Sequence, residues 1–190
     1  MKIALFGGSF DPPHLGHDAA VKAALEQLDT DKLIIMPTFI SPFKSEFSAP
    51  PLLRLRWANE AWGTLAKVCV SDYEIAQNRP VPTIESVRHI RQIYAVSELY
   101  LIIGADHLAS LDKWHEIDEL FKLATFVVAS RGDVTVPENF KILNINEPVS
   151  SSQIRQNLDK SLMIPCIADE VAKFYQGKTC KKESNESSKS

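Results

Sequence analysis

Six short runs of apolar and β-branched residues recur along the chain: KIALFG from Lys2, KLIIMP from Lys32, AKVCVS from Ala66, ELYLIIG from Glu98, ATFVVAS from Ala124 and FKILNI from Phe140. They are apolar almost throughout rather than alternating. That pattern predicts strands covered on both faces, hence a parallel sheet. Between the runs the apolar period lengthens. Val21, Ala24, Leu25 and Leu28 follow the i, i+3, i+4, i+7 spacing of one buried helix face. Ile84, Val87 and Ile90 do so after VPT, where Thr83 is placed to cap the helix. Ile117, Leu120 and Phe121 do so before ATFVVAS. This alternation predicts an α/β fold built on a doubly wound parallel sheet.

Composition narrows the picture. With 190 residues, 45% of them hydrophobic and 24% charged, the chain has material for one full core and little for a second. One domain is expected over 1–177, followed by a polar, low-complexity tail over 178–190 that is expected to be disordered. A net charge of −3 gives no sign of a protein that coats nucleic acid. Cys69, Cys166 and Cys180 form no CxxC pair and no ligand cluster, which suits reduced thiols in a cytoplasm. The opening MKIALF is too short for a signal peptide, and no apolar run approaches the ~20 residues that span a bilayer. The expectation is a cytoplasmic protein with no membrane and no nucleic-acid partner. Oligomeric state stays open, a homo-oligomer included.

In doubly wound sheets ligands bind beyond the carboxyl ends of the strands, near the point where strand order reverses. The candidate segments are therefore Gly7 to His17, Thr38 to Lys44, Gly104 to Asp106, Ser130 to Gly132 and VSSSQIR from Val149. The first of these, GGSFDPPHLGH, is the least ordinary. Gly7 and Gly8 remove β-carbons that would keep an anion from the backbone. Ser9 and Phe10 can turn amides toward it, while Pro12 and Pro13 stiffen the loop. His14 and His17 fall at the start of the next helix, where free amides and the dipole favour phosphate. Gly16 between them allows close approach. Together these features describe a polyphosphate clamp.

Other sites fit less well. Two histidines at i, i+3 could hold a metal, but no third Cys or His ligand is nearby, so no protein metal site is expected. The dinucleotide fingerprint GxGxxG is absent. GKT at Gly177 to Thr179 lacks the first P-loop glycine, where Ala172 stands, and follows a helical pattern.

GGSFDPPHLGH resembles the GxFxPxHxGH signature of the nucleotidyltransferase superfamily, and VSSSQIR (Val149 to Arg155) is similar to its ISSTxIR segment. Class I aminoacyl-tRNA synthetases share the His-Gly-His logic, but this chain lacks room for their tRNA-binding domains. Within the superfamily it resembles the nicotinate-nucleotide adenylyltransferase family over nearly its whole length. The matching segments are MPTFISPFK (Met36 to Lys44), VPTIESV (Val81 to Val87), LIIGADHLASLDKWHEI (Leu101 to Ile117) and VVASRGD (Val127 to Asp133).

The resemblance implies a Rossmann-like nucleotidyltransferase domain that joins nicotinate mononucleotide to the adenylyl group of ATP, releasing pyrophosphate, with Mg²⁺ on the phosphates. It also implies roles. His14 and His17 would hold ATP phosphates, with His17 at the reacting one. Gly7, Gly8, Ser9 and Phe10 would form the phosphate loop. Lys44 would bring a charge to the phosphates, and Asp106 would accept from ribose hydroxyls. Thr83 would meet the pyridine carboxylate, largely through backbone, and Trp114 would stack on the ring. Thr38 belongs to the mononucleotide side. Ser151 and Ser152 would cap a helix and aim amides at the triphosphate, and Arg155 would add a fixed charge.

Read without the resemblance, several of these residues have plainer roles. Thr83 serves as an N-cap, Trp114 as a core aromatic and Lys44 as a solvated loop charge. Arg155 sits on a helix surface, Asp106 caps a helix, and Arg131 has no more than a phosphate contact to offer. Trp57 and Trp62 fall in a helical segment as core or partner surface. Three positions depart from the family pattern: Thr38 stands where asparagine is common, Phe43 where histidine is, and His115 where tyrosine is. The alternatives are a nicotinamide mononucleotide or pantetheine-phosphate adenylyltransferase and, in another class, a nucleotide-binding protein without turnover.

Overall fold

The computed structural model describes residues 1–41, 46–130, 135–145, 147 and 149–187, with side chains described through 178. Six strands form one sheet: β1 (Lys2–Gly8), β2 (Lys32–Pro37), β3 (Val68–Val70), β4 (Glu98–Gly104), β5 (Thr125–Ser130) and β6 (Lys141–Asn144). All neighbours are parallel, in the order β3-β2-β1-β4-β5-β6. The helices are α1 (Leu15–Gln27), α2 (Pro51–Trp62), α3 (Tyr73–Ala76), α4 (Thr83–Ile93), α5 (Ile117–Leu123), α6 (Ser151–Asn157) and α7 (Ala168–Ser187), with a 3₁₀ segment at Ala105–Lys113.

The continuous apolar strands follow from cover on both faces. Alternate residues of β1 enter different cores. Ala4 and Phe6 join one core with Ala20 and Val21 of α1, Trp57 of α2, Ile154 of α6 and Val171 of α7. Ile3 and Leu5 join the other with Ile84, Val87 and Ile90 of α4 and Leu120 of α5. The sheet is thus doubly wound and Rossmann-like, as its sequence pattern predicts. Trp57 and Trp62 are core residues, each fully buried.

Two local expectations change. Thr83 is the first residue of α4, and Pro82 takes the cap position without a side-chain hydrogen bond. The proline's fixed φ of −61° presets the turn into the helix, so no hydroxyl cap is used. Phe121 is 44% exposed. It lies at the edge of the α5 stripe, its ring 4.8 Å from that of Phe126 and 6.0 Å from that of Phe140. The helix α7 runs through Ser187. Residues 178–187 contain neither glycine nor proline, so no stop signal ends the helix there.

The chain reverses its winding between β1 and β4. Their pairing runs to Phe6 opposite Ile102, so the residues after both strands flank one crevice. On the other side Gly8 pairs with Pro37, which brings Thr38 beside the end of β1.

Candidate active site

The phosphate loop leaves β1 at Gly8 and turns through Phe10, which has φ 45°. A bulky residue in this left-handed region is strained and persists only where its surroundings over-determine it. Here the ring is 1% exposed. It is held edge-on by Phe6, His17 and Trp62 at centroid distances of 5.4, 4.9 and 5.5 Å. Trp62 is in turn fixed by donating from Nε1 to Asp18 at 3.0 Å.

His14 then caps α1. Its backbone is extended (φ −150°, ψ 172°), and its side chain accepts from the His17 amide at 3.3 Å through Nδ1. A ring nitrogen that accepts carries no proton, which puts the proton of a neutral His14 on Nε2. The two imidazoles stack at 3.7 Å with planes 23° apart. Gly16 makes this possible from below. A β-carbon there would lie 3.1 Å from the His14 ring and 3.1 Å from the Val149 carbonyl oxygen.

That second contact joins the two motifs. Ser151 Oγ donates to the Pro12 carbonyl at 3.0 Å, and Arg155 donates to the Asp11 carbonyl at 2.5 Å and to Ser152 Oγ at 3.0 Å. The cap of α6 is Ser150, which accepts from the Gln153 amide at 3.2 Å. Ser151 and Ser152 therefore do not cap it. The residue before the first helical one is the one left extended (φ −123°, ψ 150°) and able to cap, and that residue is Ser150.

Three further residues hold this arrangement and escaped the sequence reading. Asp11, 5% exposed, accepts from the Ser48 and Ala49 amides at 2.7 and 2.8 Å and from Tyr175 Oη at 2.5 Å. Arg54, 1% exposed, donates to the carbonyls of Ala49, Ser9, Thr38 and Phe39 at 3.0, 2.5, 2.8 and 2.7 Å. Burial pulls its guanidinium below the usual arginine value, and Asp11 opposes that. Tyr175 comes from α7, and burial together with Asp11 pushes its phenol well above the usual tyrosine range, so it stays a donor. The periodicity did hold one signal: Arg54, Trp57, Ala58 and Trp62 share a buried stripe of α2.

Thr38 donates its amide to the Gly8 carbonyl at 2.9 Å. Its Oγ1 is buried without a hydrogen-bond partner among the described residues. It lines a small cavity with Ser9, Asp11, Ser41 and Arg54. Asp106 is exposed just past β4, its carboxylate folded into the space that a β-carbon on Gly104 would take. Trp114 and Thr83 belong to the face covered by α4. Trp114 packs against that core and meets His107 edge-on at 5.7 Å, yet its indole nitrogen is buried without a partner among the described residues. Its packing is partly that of a core aromatic. Lys44, Phe43 and Arg131 lie outside the described residues.

The structure thus brings Gly8, Ser9, Phe10, His14, His17, Ser151, Ser152 and Arg155 around one loop, with Thr38 beside it. Among the described residues no three His, Cys, Asp or Glu side chains cluster to hold a metal, and no helix is long and apolar enough to cross a membrane.

Comparison with known proteins agrees with this geometry. Residues 5–157 match the cytidylyltransferase-like family model. A Campylobacter jejuni protein named "Probable nicotinate-nucleotide adenylyltransferase" is 53% identical over 176 residues, 93% of this chain and 97% of the relative. A Sulfurimonas denitrificans protein of the same name is 50% identical over 181 residues, 95% of this chain and 98% of the relative. Among solved structures, a Plasmodium falciparum nicotinic acid mononucleotide adenylyltransferase complexed with NaAD superposes with a TM-score of 0.70 at 21% identity, over 91% of this chain and 93% of that one. At that identity the superposition speaks for the fold alone. With half of its residues or more identical to these relatives over nearly its full length, and with both phosphate motifs meeting at the switch of a doubly wound sheet, the chain belongs to the nicotinate-nucleotide adenylyltransferase family.

Proposed function

We propose that the protein transfers the adenylyl group of ATP to nicotinate mononucleotide, giving deamido-NAD and pyrophosphate, in the cytoplasmic synthesis of NAD. The observation that carries this is the meeting of two distant motifs at one helix start. Stacked His14 and His17 open α1, and Ser151 and Arg155 are hydrogen-bonded to the same loop.

An oxygen of the mononucleotide 5′-phosphate attacks the α-phosphorus of ATP. The bond from that phosphorus to the bridging oxygen breaks, and pyrophosphate leaves with the electron pair. The nucleophile is already an anion near neutral pH, so no strong general base is required. The protein's task is to align two anions and to stabilise charge on the transferring group.

The amides of Ser9 and Phe10 and the positive end of α1 face phosphate oxygens. His14 and His17 donate to them, His17 nearest the reacting phosphorus, and this donation strengthens when an imidazole is protonated. Arg155, already oriented by Asp11 and Ser152, adds a fixed positive charge beside the loop. Lys44 adds a second charge. Asp106 accepts from a ribose, Thr38 meets the mononucleotide side, and Thr83 and Trp114 receive the pyridine carboxylate and ring. A Mg²⁺ ion held by the ATP phosphates would offset part of their charge, while the residues named here hold and orient the phosphates.

Replacing His17 with alanine tests the assignment. Turnover is expected to fall by about 100-fold or more, while ATP still binds and the unfolding midpoint stays near wild type. Equal pyrophosphate release by variant and wild type would remove His17 from the chemistry.

A further inference from the structure

Glu74 is a buried carboxyl group that the adenylyl-transfer chemistry leaves without a task. It lies in α3 and is 5% exposed. One oxygen accepts from Ser86 Oγ at 2.6 Å, and Ser86 is itself 1% exposed. The other oxygen, Oε2, is buried with no hydrogen-bond partner among the described residues. Ser86 stands one turn into α4, the helix that Thr83 opens. The carboxyl is therefore enclosed against the first turn of α4, where unpaired amides and the dipole make the field positive.

The chain between α3 and α4 is fastened to that same turn. Arg79 donates to both Glu85 oxygens at 3.2 and 2.6 Å and to the Pro80 carbonyl at 3.1 Å. The Tyr73 ring stacks on His89 of α4 at 3.8 Å, planes 7° apart. This fastening fixes Val81, Pro82 and Thr83, the last of which is assigned to the pyridine carboxylate. A carboxyl group is not needed for the hydrogen bond to Ser86, since an amide oxygen would accept it equally well. What a carboxyl adds is a change of charge.

We propose that Glu74 is a positioning residue whose charge state sets how well the start of α4 receives the substrate carboxylate: the neutral acid leaves the positive field to the substrate, and the ionised form competes for it. The idea rests on the assignment of nicotinate mononucleotide as acceptor. Burial pushes the Glu74 carboxyl up to about 7, so the change falls in the neutral range. Glu85 on α4 adds to its rise, and Arg79 is engaged with Glu85. Asp72, Tyr73, Arg88, His89 and Arg91 are the other charged or titratable groups of α3, its cap and α4; Tyr73 and His89 stack on each other, Arg88 is paired with Glu116, and Arg91 donates to the Leu123 carbonyl. From β2, packed on α3, the residues Leu33 to Pro37 bring no titratable group.

The test is steady-state kinetics from about pH 6 to about pH 8.5, with nicotinate mononucleotide as acceptor and nicotinamide mononucleotide as alternative acceptor or competitive inhibitor. Both carry the same 5′-phosphate and the same pyridinium, so only the ring substituent differs, a carboxylate in one and an uncharged carboxamide in the other. For the wild type, KM for the nicotinate form is expected to rise about fivefold across the range. The ATP KM, kcat and the constant for the carboxamide form should not follow. Glu74→Gln is expected to remove the rise. Ser86→Ala deletes the hydrogen bond that favours ionisation and should move the rise to higher pH, which keeps the test open if the glutamine variant does not fold. A wild-type rise that persists unchanged in Glu74→Gln would overturn the proposal, as would an equal rise for ATP or the carboxamide form. Absence of turnover with nicotinate mononucleotide at every pH would instead refute the acceptor assignment and this proposal with it.

Discussion

Replacing Tyr175 with phenylalanine removes one hydroxyl from α7 and nothing else. In the structure that hydroxyl donates to the Asp11 carboxylate at 2.5 Å, far from water, and among the described residues that carboxylate also accepts from the Ser48 and Ala49 amides at 2.7 and 2.8 Å. A buried hydrogen bond to a charged acceptor contributes about 1.5–3 kcal/mol. The phenylalanine ring keeps the packing against Trp57 and Phe174, so no cavity adds to the loss. For a domain of this size the deficit lowers Tm by roughly 3–12 °C. Urea unfolding of wild type and variant measures it directly. A double-mutant cycle with Asp11→Asn isolates the pair, with an expected coupling of about 0.5–3 kcal/mol. A Tyr175→Phe protein within about 0.5 kcal/mol of wild type would refute the claim that α7 anchors the phosphate loop through Asp11.

Gly16→Ala tests the joint between the two motifs. Its β-carbon would press on the His14 ring and the Val149 carbonyl, both at 3.1 Å, for a cost of about 1–3 kcal/mol; calorimetry should show the loss and a binding titration a weaker affinity for ATP. Glu74 makes stability depend on pH. Its carboxyl rises from the ordinary 4.5 to about 7 in the folded state, so its contribution is full below about 4.5 and is lost as pH rises through about 7. At about 1.4 kcal/mol per unit this amounts to at most about 3–4 kcal/mol, and urea unfolding should show Glu74→Gln gaining on wild type from pH 5 to pH 8.

Much of this was legible in the sequence because it is local. Strands buried on both faces cannot hide their continuous apolar runs; the α4 stripe buries the residues that its period selects, and the α1 stripe buries Val21 and Ala24 and packs Leu25 and Leu28 half-buried against the same core. The two phosphate motifs were legible as separate segments, and their meeting followed from sheet topology. The unread parts depend on partners far along the chain. Asp11 reads as a turn residue until Ser48, Ala49 and Tyr175 close around it. Arg54 reads as a surface charge, although its place on the α2 stripe marks it as buried among carbonyls. The shift of the α6 cap from Ser151 or Ser152 to Ser150 turns on a single backbone angle, which three consecutive serines cannot reveal. Glu74 gives no sign in the sequence of its enclosure by Ser86.

The most direct measurement is pyrophosphate release by the purified protein with ATP and Mg²⁺, offered nicotinate mononucleotide, nicotinamide mononucleotide and phosphopantetheine in parallel. Strong preference for the nicotinate form is the expected result and places Thr83 and Trp114 at the centre of acceptor choice. Preference for either other acceptor would keep the phosphate site and contradict the ring pocket, and no release with any of the three would contradict the assignment as an enzyme.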